Sequence, residues 1–60
     1  MNVIWTIEIN SGSMASLVAN GVRRQVWRPL TMRKEDFHRL LPQGSIIDEK
    51  ALLALLNIWE

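Results

Sequence analysis

The dipeptide Asn20-Gly21 constrains the fold of this chain more than any other feature of its sequence. It separates two apolar-rich runs, residues 14–19 and 22–27. A two-residue hairpin loop of type I′ needs positive φ at both central positions, and Asn-Gly adopts that conformation more readily than almost any other pair. The sequence therefore predicts a β-hairpin closed by these two residues.

A first strand is predicted at about residues 2–9, before the hairpin. The segment is rich in β-branched and aromatic side chains, which suit a pleated surface. Strict alternation predicts one buried apolar face, formed by Val3, Trp5, Ile7 and Ile9. A turn at residues 10–13 then leads into strands at about 14–19 and 22–28. Pro29 ends the last strand because proline cannot donate to a ladder. The mixed faces of this strand indicate a position at an edge of the sheet or beside a partner.

Two helices are predicted after the strands. Thr31 is a candidate N-cap for a helix over about residues 32–41, which the segment Pro42-Gln43-Gly44 ends. Ser45 and Asp48 have the spacing of a capping box and predict a second helix over about 46–59. The expected fold is α+β, a three-stranded antiparallel meander followed by two short helices (βββαα) in one domain spanning residues 1–60.

A helix-turn-helix over residues 15–27, with Gly21 in its turn, is the competing layout. Asn20-Gly21 would interrupt its helices, and the apolar spacing around Gly21 does not fit. The order of three strands and then helices is similar to that of the sheet-type DNA-binding domains of some integrases. No residue motif extends this similarity to particular positions.

Length and composition limit how such a domain can be stabilised. A chain of 60 residues buries only about 60% of the surface that its unfolded form exposes. Because the sequence has no cysteine and one histidine, a disulfide framework, a thiolate metal site and a histidine cluster are all excluded. Stabilisation by self-association or by a partner is therefore expected.

The N-terminal sequence and the apolar runs also give an expectation about location. No charged and then apolar leader follows Met1, and the longest apolar run, residues 51–56, is far shorter than a membrane span. We expect a cytoplasmic protein that does not enter a membrane. The small polar residues before Met14 also fit a second interpretation, in which the native chain starts at Met14 and residues 1–13 were joined to it.

No arrangement of residues predicts catalysis. His38 is the only imidazole, and no serine lies in the context of a nucleophile elbow. The three glycines are far apart and form no phosphate cradle. Acidic residues cluster at predicted helix starts, where the helix dipole accounts for them. We expect no enzyme, cofactor, metal site or small-molecule substrate.

The third predicted strand carries the candidate binding residues. Residues 1–30 contain three arginines and one acidic side chain, whereas residues 31–60 contain four basic and five acidic ones. Arginine and glutamine can read base edges, and arginine also binds phosphates and carboxylates. The predicted partner-binding or nucleic-acid-binding residues are Arg23, Arg24, Gln25, Trp27 and Arg28.

The last predicted helix has more apolar surface than a small sheet can cover. At about 100° per residue, its apolar side chains spread over roughly 200° of the circumference, whereas a helix facing one sheet needs a stripe of about 100°. We expect a homodimer with an interface formed by Leu52, Leu53, Leu56 and Trp59.

These features together predict a small non-enzymatic protein–protein interaction module, a regulator or inhibitor of the kind that mobile elements encode. The alternative is a sheet-type DNA- or RNA-binding regulator that uses the arginine-bearing hairpin.

Overall fold

The hairpin lies within a four-stranded antiparallel sheet whose order is β3-β2-β1-β4. A computed structural model describes residues 3–59. Its elements are β1 (Ile4–Ser11), β2 (Met14–Ala19), β3 (Val22–Trp27), α1 (Lys34–Leu40), β4 (Ile46–Asp48) and α2 (Glu49–Trp59). The α+β class is confirmed, and the strand count is corrected from three to four.

The predicted hairpin loop is confirmed. Asn20 and Gly21 have φ of 49° and 78°, as a type I′ loop requires. The two strands pair without irregularity from Ala19 opposite Val22 to Met14 opposite Trp27. The structure thus excludes the helix-turn-helix layout, because the residues on both sides of Gly21 are extended.

The first strand is shifted toward the hairpin relative to its predicted range of 2–9. It continues to Ser11, so the turn shortens to Gly12-Ser13, and its register with β2 shifts between Ile9 and Ser11. The predicted alternation holds, since Trp5 and Ile7 are buried. Asn2 lies outside the described residues.

The prediction of a helix from residue 46 was wrong for its first three residues. Ile46–Asp48 forms β4 and pairs with β1, which suits its two β-branched isoleucines. The N–H of Ile7 donates to the carbonyl of Ser45 at 2.9 Å. The capping residue is Asp48 rather than Ser45, because its carboxylate accepts the N–H of Ala51 at 2.7 Å.

The first helix is also shorter than predicted and is not capped by Thr31. It begins at Lys34, and its N-cap, Arg33, makes no side-chain capping bond. Thr31 lies instead in a turn that the bond from the Met32 N–H to the Pro29 carbonyl closes at 3.0 Å.

Both helices contribute to one core on the face of the sheet that carries Trp5 and Ile7. Alternate side chains of β1, β2 and β3 meet α1 and α2 there. The buried apolar residues are Trp5, Ile7, Ala15, Leu17, Ala19, Val26, Phe37, Leu41, Leu52 and Leu56. Because β3 contributes only Val26 to this core, it is the most weakly buried of the three long strands.

Candidate functional site

Strand β3 is an edge of the sheet, as its mixed faces predicted. Among residues 3–59 it pairs only with β2. The last hydrogen bond of that ladder joins the Arg28 N–H to the Ser13 carbonyl at 2.6 Å. In an antiparallel pair, hydrogen-bonded and non-hydrogen-bonded positions alternate. The N–H and C=O groups of Arg23, Gln25 and Trp27 therefore point away from β2, toward the open edge.

The same alternation divides the side chains of β3 between two faces. Val26 is opposite Ala15 in the register and belongs to the core face, as does Arg24. Arg23, Gln25 and Trp27 lie on the opposite face, so one set of residues carries both the outward backbone groups and the open-face side chains. With Trp27 62% exposed, this edge combines a large aromatic surface with unpaired backbone groups.

Arg23 is held on the open face by an ion pair. Its guanidinium donates to the carboxylate of Glu8 at 3.0 Å. Glu8 belongs to β1, so the arginine side chain reaches across β2. Both side chains are about half exposed, and such a pair contributes little to stability. Its main effect is to fix the direction of the Arg23 side chain.

Arg28 does not project as a free binding residue. It is only partly exposed, and its Nη1 donates to the carbonyl of Met32 at 2.7 Å. The Nε atom of the same guanidinium is buried and lacks a partner in the described part of the chain. Arg28 thus fixes the turn after β3, a role that the sequence pattern did not indicate.

Arg24 is the most available of the three arginines on the hairpin. It is exposed, and within residues 3–59 it makes no ion pair of 4 Å or less. A groove of about 290 Å³ runs between β3 and α2 beside this side chain. The groove is lined by Arg24, Gln25, Val26, Trp27, Leu56 and Trp59.

The four residues predicted for an oligomer interface do not form one surface. Leu52 is fully buried and Leu56 is 8% exposed, so the chain itself already covers them. Trp59 is partly buried and packs edge-on against Phe37 with ring centroids 5.5 Å apart. Leu53 is the only one of the four that is well exposed. The structure therefore gives no support to an α2 interface built on Leu52 and Leu56.

Another apolar surface lies where the segment after β3 meets both helices. Leu30 and Ile58 are almost fully exposed, and a groove of about 220 Å³ lies between Met32, Leu40 and Leu55. Ile58 is one of the apolar side chains that spread over roughly 200° of the last helix, so that pattern could have indicated this surface. The sequence did not indicate that Leu30 is exposed, because a single apolar residue after a proline fits a core position as well as a surface position.

Among residues 3–59, no group of three or more acidic or histidine side chains is arranged to hold a metal ion. No helix in that range is long and apolar enough to cross a membrane. Comparisons with protein-family models, curated proteins and solved structures give no match to this chain.

Proposed function

We propose that the protein is a non-enzymatic protein–protein interaction module that binds through the edge strand β3. A partner segment in extended conformation adds to the sheet there, which is an established mode of recognition. The observation that carries the proposal is the set of outward N–H and C=O groups at Arg23, Gln25 and Trp27. Hydrogen bonds between the two backbones supply affinity in this mode of recognition, and the side chains beside them supply specificity.

A module of this size acts as a regulator or inhibitor by covering a surface of another chain. Trp27 suits such contacts because tryptophan is enriched among residues that dominate binding energy. Arg24 lies near it on the other face and can form a bidentate bond with a carboxylate. The edge therefore offers an apolar contact and a charged contact on opposite sides of one added strand.

Nucleic-acid binding by the same hairpin is the second candidate, and exposed Arg24 is the observation in its favour. Two features weigh against it. Arg23 is paired with Glu8, and Arg28 is bonded to the Met32 carbonyl. Because affinity for DNA depends on the number of neutralised phosphates, a hairpin with one free arginine is a weak candidate. A steep dependence of binding to duplex DNA on salt would favour this second function instead.

Site-specific photocrosslinking in native host cells tests the proposal. A photoreactive side chain at Trp27 should give covalent adducts with a protein chain. The control position is Lys50, which is exposed near the start of α2 next to β4, and it should give few adducts. If position 27 gives no more adducts than position 50, β3 is not a binding edge and the proposed function is wrong.

A further inference from the structure

We propose that the strand added at β3 is β3 of a second copy of this chain, so that two four-stranded sheets join into one. This inference rests on the proposed function and names its partner. The two copies are antiparallel about a two-fold axis at Gln25, and residues 22–28 of each pair with residues 28–22 of the other. The charges of β3 favour this register over its two neighbours.

Hydrogen-bond direction first restricts the possible registers. The outward groups belong to Arg23, Gln25 and Trp27, and outward groups must meet outward groups of the second copy. An odd-numbered residue must therefore be opposite an odd-numbered residue. A shift of one residue is excluded, and only shifts of two remain.

Charge then disfavours the two registers that neighbour the one centred on Gln25. In the register centred on Gln25, Arg23 is opposite Trp27, Arg24 is opposite Val26, and Arg28 is opposite Val22. No arginine faces another arginine. The neighbouring register on one side places Arg24 opposite Arg24 of the second copy, and the one on the other side places Arg24 opposite Arg28. Like charges directly opposite each other are destabilising.

The selected register also supplies favourable side-chain pairs. On the open face, Arg23 is opposite Trp27 of the second copy, so the alkyl part of the arginine packs beside the indole while its guanidinium stays on Glu8. The two Gln25 amides meet at the axis, where each can donate to and accept from the other. Val22 and Trp27, which are 57% and 62% exposed, both become covered. Because paired residues share a face, the helices of both copies lie on one side of the joined sheet.

Sedimentation of the purified full chain tests the pairing. The wild-type chain should be dimeric at high micromolar concentration. Gln25→Pro should raise the dimer dissociation constant at least about tenfold, since it removes outward N–H donors and places a ring at the edge. The hydrogen bonds between β3 and β2 are preserved in Gln25→Pro, because the Gln25 N–H does not point to β2. Gln25→Ala is the matched control and should remain dimeric.

Disulfide formation tests the register, because the wild-type chain has no cysteine. In the Gln25→Cys variant the two thiols lie opposite each other at the axis. Opposed Cα atoms in such a pair are about 5.5 Å apart, within the range that a disulfide spans. Mild oxidation should therefore yield a covalent dimer. Arg23→Cys is the control and should yield little, since each new thiol lies opposite Trp27.

The outcomes separate this inference from the proposed function. A wild-type monomer at high micromolar concentration overturns the second copy as partner, and so does a dimer that Gln25→Pro leaves intact. A covalent dimer from Arg23→Cys and not from Gln25→Cys overturns the register. If Gln25→Pro does not fold by circular dichroism, the disulfide result decides. Cellular crosslinks from position 27 to a different protein would keep the proposed function while the inference fails.

Discussion

At Asn20 and Gly21 the backbone turns through left-handed conformations, with φ of 49° and 78°. A Cβ at Gly21 would meet no atom of the described residues within 4 Å, so the cost of a larger residue there comes from the backbone conformation. Asparagine tolerates this region, whereas β-branched residues do not. This one dipeptide fixes the loop type, and the loop fixes which residues of β3 point outward.

Gly21→Val should therefore lower the free energy of unfolding by more than about 1 kcal/mol. Gly21→Asn should cost clearly less, because asparagine adopts positive φ more easily. Urea unfolding followed by tryptophan fluorescence measures both variants. Equal stability of Gly21→Val and the wild-type chain would contradict the assigned turn.

The N-terminal cap of α2 is the second local feature that fixes the fold, because it sets where the helix begins. The Asp48 carboxylate accepts the Ala51 N–H at 2.7 Å. Asp48→Ala should cost about 1 kcal/mol of unfolding free energy, and Asp48→Asn should cost much less because asparagine caps as well. Thermal and urea unfolding check the pair. An equal loss in both variants would assign the effect to the charge rather than to the cap.

Among the helices and strands, those that depend on neighbouring residues agree with the predictions from the sequence. The strand that depends on a contact between distant segments does not. The hairpin loop, the range of β2 and the buried face of β1 could all be predicted, because each depends on neighbouring residues. Strand β4 could not, because Ser45 and Asp48 match the spacing of a capping box. The strand forms because β1 offers a free edge to Ile46 and Ile47, and that is a contact between distant segments.

The α2 helix carries a buried and an exposed apolar residue two positions apart, Leu56 and Ile58. Leu56→Asp should unfold the chain, since it places a charge in the core at a cost of about 3 kcal/mol or more. Ile58→Asp should remain folded because Ile58 is 86% exposed. Far-ultraviolet circular dichroism and sedimentation measure fold and mass together. A folded Leu56→Asp monomer would restore the helix interface that the sequence predicted.

For the whole molecule, the candidate site could be predicted only in part. The sequence indicated an arginine-bearing edge strand, and β3 is that edge. It could not show that Glu8 holds Arg23 or that the Met32 carbonyl holds Arg28, since both partners depend on the folded arrangement. The sequence also could not show that Leu52 and Leu56 are covered by the chain's own core, because an apolar helix face looks the same whether its own sheet or another chain covers it. Self-association itself stays a prediction.

If β3 accepts a second strand through alternate backbone groups, alternate amides of β3 become protected, and amide hydrogen exchange by NMR tests this residue by residue. At high protein concentration, the amides of Arg23, Gln25 and Trp27 should be protected, and dilution should release them. The amides of Arg24 and Val26 point to β2 and should stay protected in both conditions. If the amides of Arg23, Gln25 and Trp27 stay unprotected at every concentration while those of Arg24 and Val26 are protected, no second strand pairs with β3.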